Sequence, residues 1–224
     1  MPQSPSDSGG NDMRTDDLIK ALDADTRSKA MPLGSAWWMA AGAATVIAAV
    51  VFWLTIGPRT DIATAMHTMR FLAKFVFTTA LAVSAFALIR ALSTPGASTG
   101  GAAAWMIAAP LLVIIAVVLE LLSVPAADWG TRLVGTNIVI CLTFIPLIGV
   151  GPLAVFLTVL RYGAPTRPVL AGTVAGLLAG GLAATFYAAH CFDDSPLFVA
   201  TWYTLAIAIL GALGALGGRL FVRW

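Results

Sequence analysis

Six long runs of this chain are almost without charge: residues 36–56, 71–92, 104–122, 133–160, 169–189 and 197–220. Crossing the hydrocarbon core of a bilayer takes roughly 20 apolar residues in an α-helix, and each run is about that long or longer. No water reaches the backbone in lipid, so a crossing segment must satisfy its own N–H and C=O groups, which a helix does. The runs predict an all-α integral membrane protein, a six-transmembrane-helix bundle with a short cytoplasmic N-terminal segment. Composition points the same way. Only 11% of residues are charged and the mean hydropathy is +0.89, whereas a soluble domain carries about 25% charged residues. The net charge of +2 is not gathered into a basic face, which argues against direct contact with nucleic acid. Two cysteines cannot build a disulfide framework.

The pattern divides the chain into residues 1–12, 13–35, 36–220 and 221–224. The first piece, MPQSPSDSGGND, is rich in Ser, Gly, Pro and Asp and is expected to be a disordered extension. Met13 is as good a start as Met1. No cleavable signal peptide is apparent, because the first 35 residues are polar and the first apolar run exceeds a signal core of about 7–15 residues. The third piece is the six-span membrane domain and the last a cytoplasmic tail.

Orientation follows from Lys and Arg, which accumulate on the cytoplasmic side. Arg14, Lys20, Arg27, Lys29, Arg90, Arg161, Arg167, Arg219 and Arg223 fall on one side; Arg59, Arg70 and Arg132, with Lys74 just inside the rim, fall on the other. Both termini are therefore expected in the cytoplasm. Span four contains Pro146 and Pro152 and is expected to kink; a substrate site at a broken helix is the sharper alternative. Gly172, Gly176 and Gly180 recur every fourth residue on span five, and Gly214 and Gly218 do so on span six. Such spacing lets a second backbone approach closely.

Between spans five and six stands AAHCFDDSPLFVATWY, residues 188–203. It brings His190 and Cys191 beside Asp193 and Asp194, on the extracytoplasmic side. Counting back from Arg161 places Cys141 near the same surface. Two readings stand for each residue. Cys141 is a small buried hydrophobe or one of two sensor thiols with Cys191. His190 hydrogen-bonds a span terminus or ligates a metal. Asp193 and Asp194 are solvated loop acids or further ligands, and Asp194 or Ser195 caps span six ahead of Pro196. Two thiols on one face can form a disulfide or transiently share a soft metal ion. Apart from that ion, no cofactor is implied. Glu120, Arg70 and Lys74 read as side chains reaching for the interface, with a Lys74–Glu120 ion pair as an option.

On the cytoplasmic side, TDDLIKALDAD opens with Thr15 or Asp16 as a cap and acids in the first turn. Leu18, Ile19 and Leu22 form an apolar strip. A helix this short is marginal alone, so the strip reads as a docking peptide awaiting a groove. A membrane-surface helix is the alternative, and its acids oppose it.

MRTDDLIKALDADTR, HCFDDSPLFVATWY and the terminal GGRLFVRW together resemble the NrsF family of bacterial membrane anti-sigma factors, over nearly the whole chain from Met13. The resemblance implies a fold of six spans and a non-enzymatic function: sequestering an extracytoplasmic-function (ECF) sigma factor at the inner membrane and releasing it under metal or oxidative stress. It implies that Cys141 and Cys191 take part in that response. It also makes Asp16, Asp17, Leu18, Ile19 and Leu22 the sigma-factor contact. The rival readings are a small transporter, which calls for polar residues at mid-membrane, and a membrane thiol oxidoreductase, which needs a second redox pair or cofactor.

Overall fold

The computed structural model describes residues 15, 17, 19–20, 33–94, 96–163 and 165–222. They form two compact units, residues 1–32 and 33–224. In the first, Thr15, Asp17, Ile19 and Lys20 are helical and exposed; Asp16, Leu18 and Leu22 lie outside the described residues.

The second unit is all-helical among the described residues. Six helices are long and apolar enough to cross a membrane: α1 (Leu33–Thr55), α2 (Met69–Ser93), α3 (Gly100–Ser123), α4 (Ile138–Gly163), α5 (Pro168–Ala188) and α6 (Pro196–Phe221). Helix α5 is the hub of the bundle, packed by α2, α4 and α6 and touched by α1; α1 lies mainly on α4, and α3 hangs on α2 at the periphery. The sequence of α5, PVLAGTVAGLLAGGLAATFYA, explains its place. Its residues are small on several faces, so four neighbours can close on it.

The closest approach is between α5 and α6. A methyl group built on Gly172 would strike the Gly214 carbonyl and stand 2.8 Å from the Gly218 Cα. One on Gly176 would strike the Leu210 carbonyl and stand 2.7 Å from the Gly211 Cα. Gly180 faces Ile207. The glycine face therefore meets the matching face of α6.

Three irregularities depart from the sequence pattern. The run 133–160 is not one span. A short helix, Trp129–Val134, ends at Gly135, and α4 begins at Ile138 and continues through Pro146 and Pro152 as one element. Gly135 makes the break because its φ of +59° suits glycine, and any side chain there would collide with Phe198 and Asp193. Helix α3 is interrupted at Met106 and Ile107, where Pro110 withholds the N–H that Met106 would accept. Helix α6 contains a π-helical stretch, Val199–Tyr203, which no proline or glycine marks in the sequence.

Candidate functional site

The connection from α5 to α6, His190 to Ser195, ties a different element down with almost every residue. His190 donates from Nδ1 to the Gly57 carbonyl at 2.9 Å; a carbonyl only accepts, so Nδ1 carries the proton. Gly57 lies two residues beyond the end of α1 at Thr55, so the bond is made beside a span terminus. The Cys191 carbonyl accepts from Lys74 Nζ at 2.8 Å and from Arg59 Nη1 at 3.2 Å. Asp193 is not a solvated loop acid. Its Oδ2 accepts from the backbone N–H groups of Thr136 and Asn137 and from Asn137 Nδ2, each at 2.9 Å. That carboxylate satisfies donors at the N-terminus of α4, where the helix dipole favours a negative charge. Asp194 bridges Lys74 Nζ at 2.6 Å and Arg59 Nη1 at 3.1 Å. Ser195 performs the capping, its Oγ accepting from Leu197 N–H at 3.2 Å.

Arg59 completes the knot. It grips Asp61 with Nε and Nη2 at 2.6 and 2.7 Å, and its guanidinium lies 4.5 Å from the centre of the Phe192 ring. Its backbone N–H donates to the Ala189 carbonyl. The hydrogen bond from Arg59 holds the Asp61 carboxyl below the usual carboxylate range, and Asp61 in turn raises the guanidinium. The expected Lys74–Glu120 pair does not form. Lys74 is 1% exposed and belongs to Asp194, so it does not reach for the interface. Glu120, also buried, pairs with Arg132 at 2.9 Å and Arg70 at 3.8 Å.

Both thiols lie inside this knot, and both are free. Cys141 sits in the first turn of α4, its N–H bonded to the Asn137 carbonyl at 2.8 Å. Neither is exposed to any degree. Cys191 Sγ points at the Asp193 carbonyl oxygen, 3.7 Å away. Burial pushes the Cys191 thiol up; the Lys74 ammonium and the Asp193 backbone draw it down. His190 and Asp193 are engaged elsewhere, and among the described residues no group of three or more His, Cys, Asp or Glu could hold a metal ion.

Tyr187 and Tyr203 were not marked by any motif. Two of only three tyrosines, they stack edge-on at 5.5 Å between ring centres and are 0% and 1% exposed. Neither hydroxyl has a hydrogen-bond partner. A signal was present: Tyr203 closes the HCFDDSPLFVATWY string, and Tyr187 lies one helical turn before Cys191.

A bundle of six membrane-length helices, with its buried charges gathered at one rim around two thiols, defines a membrane-type helical protein whose polar chemistry seals an end. The chain belongs to the family of negative regulators of sigma F, NrsF, whose profile matches residues 22–224. That match begins after Asp16–Ile19, part of the opening on which the resemblance drew. The anti-sigma-F factor NrsF of Caulobacter vibrioides is 35% identical over 218 residues, 95% of this chain and all of that protein. The probable anti-sigma-F factor NrsF of Azospira oryzae is 34% identical over 223 residues, with 95% and 100% covered. No solved structure matches the chain significantly.

Proposed function

We propose that the chain holds an ECF sigma factor at the bacterial inner membrane and lets it go when the Cys141–Cys191 pair is oxidised on the extracytoplasmic side. One observation carries the reading. The residues from His190 to Ser195 bind the end of α1, α2, the start of α4 and the start of α6, and Cys191 is at their centre. A new bond on that sulfur displaces groups that several helices share. Family membership supplies the sigma factor as the partner. The engagement of His190 and Asp193 elsewhere favours a disulfide over a multidentate metal site; a soft ion held by the two sulfurs alone is the alternative. The charged rim also disfavours a transporter, for it places Lys74 and Glu120 at helix ends.

The test replaces each thiol. Serine keeps the size and loses the thiolate, so oxidation and soft-metal binding both go. Cys141→Ser and Cys191→Ser should each blunt induction of sigma-dependent genes by an oxidant or cadmium, with basal repression intact. The double variant should be no worse, because a pair is lost with its first member. Induction equal to the natural chain in both single variants would show that the thiols only pack. Trapping free thiols before and after stress separates a disulfide from a bound ion.

A further inference from the structure

A cleft of about 460 Å³ lies on the flank of the bundle, walled by α2, α3 and α6 with Leu177 of α5 behind them. Small-ligand pockets span roughly 300–1,000 Å³. Two of the irregular helices meet at it. Met106, at the break in α3, lines one wall, and Val199, Ala200 and Tyr203, from the π-helical stretch of α6, line another. Its inner residues Phe77, Ala109 and Ile207 are buried, while Pro110, Ile114, Thr204 and Ala208 around its mouth are exposed. Leu177 stands eleven residues before the end of α5 at Ala188, about 16 Å along a helix. That is half the depth of a hydrocarbon core of roughly 30 Å. The cleft therefore opens sideways, midway along the helices. No charged residue lines it among the described residues, and the Thr78 hydroxyl is already bonded to the Lys74 carbonyl at 2.9 Å.

We propose that this cleft holds one hydrocarbon chain of a bilayer phospholipid. Its occupant must be apolar, must enter from the side, and must reach the middle of the membrane. An acyl chain does all three. Water does not suit it, since a buried water needs about 2–4 polar partners. Left empty, the lining would forfeit its dispersion contacts on one side. Helix α3 has the most to gain from a filled cleft. It packs on α2 and meets α6 mainly at residues 196–203, so a chain lying between them seats the middle of α3 against the bundle. The inference rests on the six-helix unit standing in a bilayer and on no property of the thiols.

The full chain is reconstituted in nanodiscs containing a phosphatidylcholine with a photoreactive diazirine at the middle of one acyl chain. After illumination, the labelled residues are mapped by mass spectrometry of peptides. Val46, Val83 and Val150 are exposed apolar residues midway along α1, α2 and α4 and report contact with bulk lipid. Phe77, Ala109 and Ile207 should be labelled at least as strongly as these three, although they are buried. Ala208→Trp puts an indole across the mouth, at a position open to the outside. Labelling of Phe77, Ala109 and Ile207 should then be lost, with Val46, Val83 and Val150 unchanged. The natural chain alone can overturn the proposal: label on the three exposed valines and none on the buried lining means that no chain enters. Labelling of the lining that survives Ala208→Trp also overturns it. If an isoprenoid quinone added at low mole fraction removes the lining label, or if the cleft residues cross-link to a second copy of the chain, the cleft belongs to that occupant and the acyl-chain assignment falls. An absence of label on the exposed valines as well would mean that the helices are not in the bilayer, and the proposal falls with the membrane reading itself.

Discussion

Lys74 carries its ammonium at 1% exposure, with one carboxylate and one carbonyl for partners. Asp194 is better placed, part-exposed and shared between Lys74 and Arg59. The two ends of this ion pair therefore differ in what their loss leaves behind. Asp194→Asn strands a buried lysine charge, and breaking a buried pair in that way costs about 3–5 kcal/mol. Lys74→Met strands nothing, since Asp194 keeps Arg59. Thermal unfolding in nanodiscs should rank Asp194→Asn well below Lys74→Met, and the double variant should recover much of the loss. A double variant that is simply the sum of the two would show that the pair is not coupled. Residue types at this scale were readable from the sequence, and partners were not. The HC pair, the two acids and the capping serine stood out as unusual among apolar neighbours. That Asp193 serves α4 and Asp194 serves α2 depends on contacts 57 and more than 100 residues away in the chain.

The glycine stripe of α5 works because α6 has one of its own. Gly176→Ala would put a methyl group into the backbone of Leu210 and Gly211, and backbone cannot turn aside as a side chain can. Such overpacking costs about 1–3 kcal/mol or more. Gly42→Ala on α1 meets nothing within 4 Å and should be neutral or gain a few tenths from helix propensity. Comparing the unfolding temperatures of the two variants tests the contact; equal stability would mean that α5 and α6 do not touch along this face. Spacing by four made the stripe legible, and the matching Gly214 and Gly218 named its mate. Helix breaks were harder to read. The prolines of α4 sit inside an intact helix, while Gly135 stops the chain because its conformation and the nearness of Asp193 leave no room for a side chain. The π-helical stretch Val199–Tyr203 has no local residue cause. Such insertions recur at functional sites, and this one ends at Tyr203.

At the scale of the molecule, the proposed function requires that chemistry at one rim reach a partner on the other side. On the orientation proposed from nine Lys and Arg residues against Arg59, Arg70, Arg132 and Lys74, the His190–Ser195 knot would face outside and both termini inside. That orientation would give the amino-terminal segment to the cytoplasm, the side on which a sigma factor works, and Ile19, 57% exposed, would be open to it there. Deleting residues 13–30 should therefore release the sigma factor and switch on its genes without stress. The six-helix unit should stay in the membrane, because all six membrane-length helices lie outside the deleted segment. Two reporters verify the premise: a periplasm-active enzyme fused after Trp224 should be silent, and one inserted at Asp193 should be active. The reverse pattern would turn the thiols toward the reducing cytoplasm and remove the ground for an oxidised pair. A sigma factor that still co-purifies with the truncated chain would move the contact away from Asp17 and Ile19, onto the cytoplasmic loops near Arg90, Arg161 and Arg167.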